Sequence, residues 1–142
     1  MARNKIIVKN IKVGEWLNKK TNETEPVCCR TFIYGNECSS LNKETKPILV
    51  FVHGFAASSC LFYNIFEPLS KHFCVIMIDI IGMGGSSRPD NFNRKNTPQE
   101  SIDYFLDYME AWRVAMNNLS GFYLAGHSFG GYLCGNYAVK YN

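Results

Sequence analysis

FYLAGHSFGGYLCGNYAVKY, residues 122–141, is the stretch whose reading decides the fold. A short apolar run at 122–125 leads into Gly126-His127-Ser128-Phe129-Gly130-Gly131, and a segment able to form a helix follows. G-x-S-x-G between a strand and a helix has a physical logic. A serine on so tight a turn has a strained backbone and crowded neighbours. Glycine at 126 and 130 removes the Cβ atoms that would clash. The Ser128 hydroxyl then stands exposed above the sheet, at the positive end of a helix dipole, where it can serve as a nucleophile. The bland alternative is an incidental Gly/Ser turn, and the strand and helix on either side argue against it.

Two longer apolar runs lie upstream: ILVFVHG, opened by Pro47, and FCVIMIDI at 73–80. Neither alternates, which predicts strands buried on both faces, as in a parallel sheet. SSCLFYNIFEPLSKH between them is long enough for a crossover helix. A second helix is predicted over about 98–118, where Thr97-Pro98-Gln99-Glu100 reads as N-cap, N1 proline and N3 glutamate of a capping box. Ile102, Phe105, Met109, Trp112 and Met116 form its apolar stripe, and Gly121 ends the connection. Before Pro47, residues 6–13 and 27–34 read as strands, with polar connections at 18–26 and 36–46. The division is therefore residues 1–46, strands and polar loops, and 47–142, an α/β core. Strand, helix, strand, helix, strand is a doubly wound parallel pattern, and its ligands bind beyond the carboxyl ends of the strands.

Those ends carry two further motifs. His53-Gly54-Phe55-Ala56 follows the first run. Acyl transfer needs two N–H donors for its tetrahedral intermediate. The amide of Phe129 is one candidate, and the amide of Phe55 is the other, with Gly54 letting the backbone turn toward the site. Asp79-Ile80-Ile81-Gly82-Met83-Gly84-Gly85-Ser86-Ser87 follows the second run. It fails G-x-G-x-x-G at Ser87, so it reads as a tight loop shaping the rim, with Gly82 and Gly84 at its bends. Asp79 is expected to organise that loop by hydrogen bonds rather than to act as a triad acid.

Together, HGFAAS, DIIGMGGSSRP, EAWR at 110–113 and GHSFGGYLCGNYAVKY resemble the α/β-hydrolase family over residues 47–142. They are most similar to its lipid-directed branch of lysophosphatidic acid acyltransferases, N-acyl-phospholipid lipases and a lipid-droplet lipase co-activator. The resemblance implies the N-terminal part of an α/β-hydrolase fold, a mostly parallel sheet with crossover helices. It implies a lipid ester or acyl-phospholipid substrate, an intracellular setting in the cytoplasm or on a lipid droplet or organelle membrane, and no metal or organic cofactor. Some members of the branch carry asparagine at the nucleophile and regulate rather than hydrolyse; Ser128 here favours an enzyme.

The family's order is Ser, then Asp or Glu, then His. Residues 129–142 contain no acid and no histidine, and the H-x4-D signature of some members is absent. His53 belongs to the oxyanion strand end, His127 adjoins the nucleophile and His72 precedes a strand, so none makes a good general base. Three readings follow: a fragment of a full hydrolase, a short protein completed by a partner chain, or a non-catalytic interaction or lipid-surface module. The isolated chain is expected to be inactive. It is also expected to be unstable without a partner, because the strand near 122–126 is left as an apolar edge.

Composition excludes other classes. The chain has 142 residues, 46% hydrophobic and 19% charged, with a formal net charge of +3. The basic residues are scattered, which excludes a nucleic-acid stripe. No apolar stretch approaches the 18 or so residues of a membrane span. The six cysteines form no C-x-x-C, which removes metal-ligand spacing. Reduced thiols are the expectation, with a disulfide left open as the alternative, and Cys74 and Cys134 are read as small buried apolar residues. Trp16 lies where a lipid-surface anchor would sit, in a segment too short to argue from.

Overall fold

A computed structural model of the protein describes residues 6–34, 46–92 and 97–141. The chain order is β1 (Ile6–Asn18), β2 (Glu23–Tyr34), β3 (Ile48–Val52), a 3-10 turn (Ser59–Phe62), α1 (Tyr63–Ser70), β4 (Cys74–Ile78), α2 (Pro98–Ala115), β5 (Phe122–Gly126) and α3 (Phe129–Lys140). The five strands form one sheet in the order β1-β2-β4-β3-β5. The three apolar runs pair in parallel, β4 with β3 and β3 with β5. The β1–β2 hairpin joins antiparallel through β2 and β4, so the sheet is mixed. Both hairpin strands extend beyond the predicted bounds, because residues 23–26 of the polar connection pair across Glu15–Asn18. Cross-strand partners and a tight turn carry polar residues into a ladder that periodicity alone leaves as loop. The remaining polar connection, 35–45, lies outside the described residues.

Side-chain alternation divides the sheet between two apolar layers. Ile48, Val50, Val52, Ile76 and Ile78 pack with Leu106, Trp112, Leu133 and Tyr137 of α2 and α3. On the other face Val75 and Met77 pack with Phe66 of α1, flanked by Phe51 and Phe62. Helices thus cover both faces, which is what strands without polar alternation require. The capping box of α2 is complete: the Thr97 side chain accepts from the Glu100 amide, and the Glu100 carboxylate accepts from the Thr97 amide. The helix stops at Ala115, three residues short of the predicted end, and Asn117 and Asn118 take the left-handed conformation that turns the chain back. Trp112 Nε1 donates to Thr31 Oγ1 at 2.9 Å, so the one polar atom of that buried ring is satisfied.

One expectation about the cysteines needs correction. Cys28, Cys29, Cys60 and Cys134 are free, but Cys74 is disulfide-bonded. Cys74 does pack in the core, yet an apolar setting does not forbid a bridge, which needs only a second sulfur at bonding distance. Sequence spacing could not reveal that proximity. Burial pushes the Cys29 and Cys134 thiols up to about 12, so both behave as apolar side chains.

Candidate active site

The carboxyl ends of β3, β4 and β5 place three loops on one edge of the sheet. At the end of β5, Ser128 has φ 53° and ψ −121°, a conformation unfavourable for any residue with a Cβ. Surrounding contacts hold it there. The His127 amide donates to the Val52 carbonyl at 3.0 Å, extending the β3–β5 pairing, and the Gly130 amide donates to the His127 carbonyl at 2.9 Å. A Cβ on Gly130 would overlap the Val52 and His53 carbonyl oxygens, and one on Gly126 would overlap the backbone of Gly130 and Gly131. The turn can close only because both lack side chains. Ser128 caps α3 through its backbone position while its side chain makes no capping bond, so the exposed hydroxyl is free.

The β3 loop lies against this turn: a Cβ built on Gly54 would stand 3.2 Å from Ser128 Cβ. Phe55 is 75% exposed, and its ring meets that of Phe129 edge-on at 6.4 Å between centroids. Phe129 is the first residue of α3, so its amide has no intrahelical acceptor. The two amides proposed from sequence as oxyanion donors therefore belong to loops that meet beside Ser128. Aromatic contacts continue from Phe129 to Phe105 and on to Phe92.

His53 and Asp79 sit beneath the loops. The Asp79 carboxylate is buried and accepts from the Ser59 amide through Oδ1 and the Gly85 amide through Oδ2, each at 2.7 Å. Its carbonyl accepts from Ser86 Oγ at 2.7 Å. Gly84, at φ 52°, packs directly on this carboxylate, with no room for a Cβ between them, and Gly82 takes φ 86° at the other bend. The fully buried His53 ring lies 2.7 Å from the Gly54 carbonyl through Nδ1, and its Nε2 accepts from the Ile80 amide at 3.0 Å. A carbonyl can only accept and an amide N–H can only donate, so the ring is the neutral Nδ1–H tautomer. The 3.7 Å separation of Nε2 from Asp79 Oδ1 is accordingly no ion pair. The role of His53 as a strap between the β3 and β4 loops is not visible in the sequence, because its partners are backbone groups.

Among the described residues no histidine nitrogen is hydrogen-bonded to Ser128. His53 has both nitrogens occupied. His127 is exposed and stacks near Phe62, with ring centroids 5.4 Å apart. His72 follows α1, at the opposite edge of the sheet. No cluster of metal-ligating side chains occurs among the described residues.

A strained serine between a strand and a helix, on a sheet of this order, is the strand–turn–helix arrangement that G-x-S-x-G takes in α/β proteins. A family model for the alpha/beta hydrolase fold matches residues 47–142, and the chain belongs to that family. A 1-acylglycerol-3-phosphate O-acyltransferase of Arabidopsis thaliana is 44% identical over 126 residues, 89% of this chain and 28% of the relative. A (lyso)-N-acylphosphatidylethanolamine lipase of Homo sapiens is 38% identical over 102 residues, 72% of this chain and 29% of the relative. The chain thus matches the lipid-directed branch of the family and spans under a third of these relatives' length. Among solved structures, a 2-hydroxy-6-oxo-6-phenylhexa-2,4-dienoate hydrolase of Rhodococcus sp. strain RHA1 superposes with TM-score 0.71 at 18% identity, over 96% of this chain and 42% of that one. A haloalkane dehalogenase of Agrobacterium tumefaciens C58 gives 0.68 at 22%, over 95% and 37%. At such identities the likeness is one of fold alone, shared by enzymes of different chemistry.

Proposed function

We propose that Ser128 is the nucleophile of an acyl-transfer enzyme acting on lipid esters or acyl-phospholipids. The observation that carries this reading is the strained, exposed Ser128 at the start of α3, its hydroxyl unspent and two backbone loops converging beside it. Strain of this kind persists only where the surroundings enforce it, and it gathers at reactive positions. In the proposed reaction Ser128 Oγ attacks the ester carbonyl and yields its proton to a histidine. The Phe55 and Phe129 amides stabilise the oxyanion. The C–O bond of the ester then breaks, and the departing alkoxide takes the proton from the histidinium. Water or an acceptor alcohol removes the acyl group in the mirror sequence.

The histidine and its orienting acid do not occur in 129–142. On this reading they come from a further segment of the protein, following the family's chain order, or from a partner chain. The row of Phe129, Phe105 and Phe92 beside the elbow gives an acyl chain an apolar surface. Leu61 and Tyr63, 69% and 66% exposed on the same side of the sheet as α1, fit contact with a membrane or lipid-droplet surface. No helix among the described residues is long and apolar enough to cross a membrane. Trp16 packs partly buried against the core from β1, which weighs against the surface-module reading that uses it as an anchor.

Acyl release from a lysophospholipid by the full-length protein tests the proposal. Ser128→Ala is expected to lower turnover by at least about a thousandfold. Undiminished turnover in that variant would remove Ser128 from the mechanism.

A further inference from the structure

The bond between His53 and Gly54 has a consequence one atom further along the chain. The Gly54 carbonyl and the Phe55 N–H belong to one peptide unit, which is planar and trans. The two groups therefore point in opposite directions. The Gly54 carbonyl turns inward to the fully buried His53 ring, 2.7 Å from Nδ1. The Phe55 N–H is thereby turned outward, away from that ring. Among the described residues no backbone carbonyl accepts from it.

Other restraints on this peptide are weaker. Gly54 packs against the Ser128 turn so closely that a Cβ would stand 3.2 Å from Ser128 Cβ, 3.2 Å from His127 Nδ1 and 3.3 Å from the His127 carbonyl oxygen. The missing Cβ that permits this contact also leaves the glycine backbone free to rotate, and the peptide after it rotates with it. The Ala57 amide donates to the same Gly54 carbonyl, but at 3.3 Å, across a turn in which Ala56 takes φ 54°. That left-handed conformation is unfavourable for an alanine, so the turn is held rather than relaxed. The His53 ring is itself fixed: its Nε2 accepts from the Ile80 amide at 3.0 Å, and no part of it reaches solvent. A ring anchored at both nitrogens makes a rigid arm.

We infer that His53 is a positioning residue for the proposed acyl transfer: through the Gly54 carbonyl it sets the direction of the Phe55 amide. The consequence for catalysis rests on the reading of Ser128 as the nucleophile; the direction of the peptide stands on geometry alone. A donor stabilises an oxyanion fully only when it is aimed before the charge develops, because turning it at that moment consumes the gain. His53 touches no reacting atom and acts through a single peptide plane.

Two substitutions separate this role from that of a structural strap. The asparagine amide ends near the position of Nδ1, and the glutamine amide near that of Nε2. His53→Asn thus keeps a donor for the Gly54 carbonyl and loses the Ile80 bond, whereas His53→Gln keeps an acceptor for Ile80 and loses the donor to Gly54. Both are expected to lower the Tm of the full-length protein, since each gives up one buried bond. With p-nitrophenyl butyrate as the probe, His53→Gln is expected to lower kcat by about thirtyfold or more with KM changed by no more than about twofold, and His53→Asn to restore kcat to within about threefold of wild type. Equal losses in the two variants, or an undiminished kcat in His53→Gln, overturn the inference. Ser128→Ala is assayed beside them. Turnover that survives in Ser128→Ala counts against the reaction itself, and crystal structures of the full-length wild type and His53→Gln then decide the inference. A Gly54 carbonyl turned from its wild-type direction in His53→Gln supports it, and one left in place overturns it.

Discussion

The two edges of β5 are built on different terms. Where its carboxyl end meets β3, every backbone turn is held. Gly126 and Gly130 close the elbow, His53 straps the β3 and β4 loops together, and Asp79 ties Ser59 to Gly85. Along its outer side, β5 has no neighbouring strand among the described residues, and Tyr123 is 63% exposed. A recess of about 360 Å³ opens there between Arg113, Phe122, Leu124 and Tyr137. The contrast separates two tasks. Positioning Ser128 is local and uses backbone groups and small residues already present. Covering the outer side of β5 is not local.

The largest effect should come from breaking the positioned side. Gly130→Ala forces a methyl against two carbonyl oxygens of the central strand. It is expected to cost about 3 kcal/mol, read as a lowered denaturation midpoint, and to abolish any Ser128-dependent activity. Asp79→Ala removes the acceptor of two amides and is expected to cost about 2 kcal/mol, with the rim loop becoming sensitive to protease. Thr97→Ala, at a capping box remote from both regions, should cost about 1 kcal/mol in thermal melts and leave chemistry untouched. The smallest stability change is expected on the open side. Tyr123→Lys should shift stability by no more than about 0.5 kcal/mol, yet reduce self-association of residues 1–142 in sedimentation, because a charge on an edge strand opposes pairing. A large loss of stability from Tyr123→Lys would mean that the two regions are less distinct than described.

The legible part of the molecule was its repetitive part. Unbroken apolar runs located β3, β4 and β5, and the Thr97–Glu100 box located the start of α2, because each signal lies within a few residues. The hairpin's reach through Glu23–Pro26 was missed because it depends on partners across the turn. A disulfide, left open by the sequence, could not be assigned to Cys74, because chain proximity in space leaves no mark on spacing. The residues proposed to act, Ser128, Phe55 and Phe129, could be named from motif and order. The groups that hold them, the His53 tautomer and the two Asp79 acceptor bonds, could not, since they bind backbone amides that any sequence supplies.

The central claim is that the strained turn at Ser128 carries the reacting hydroxyl. A fluorophosphonate probe, reacted with the full-length protein and mapped by peptide mass spectrometry, tests it most directly. The account predicts a single adduct on the peptide containing Ser128, lost in Ser128→Ala while the melting temperature is unchanged. An adduct on another serine, or none on a folded and catalytically active protein, would contradict it.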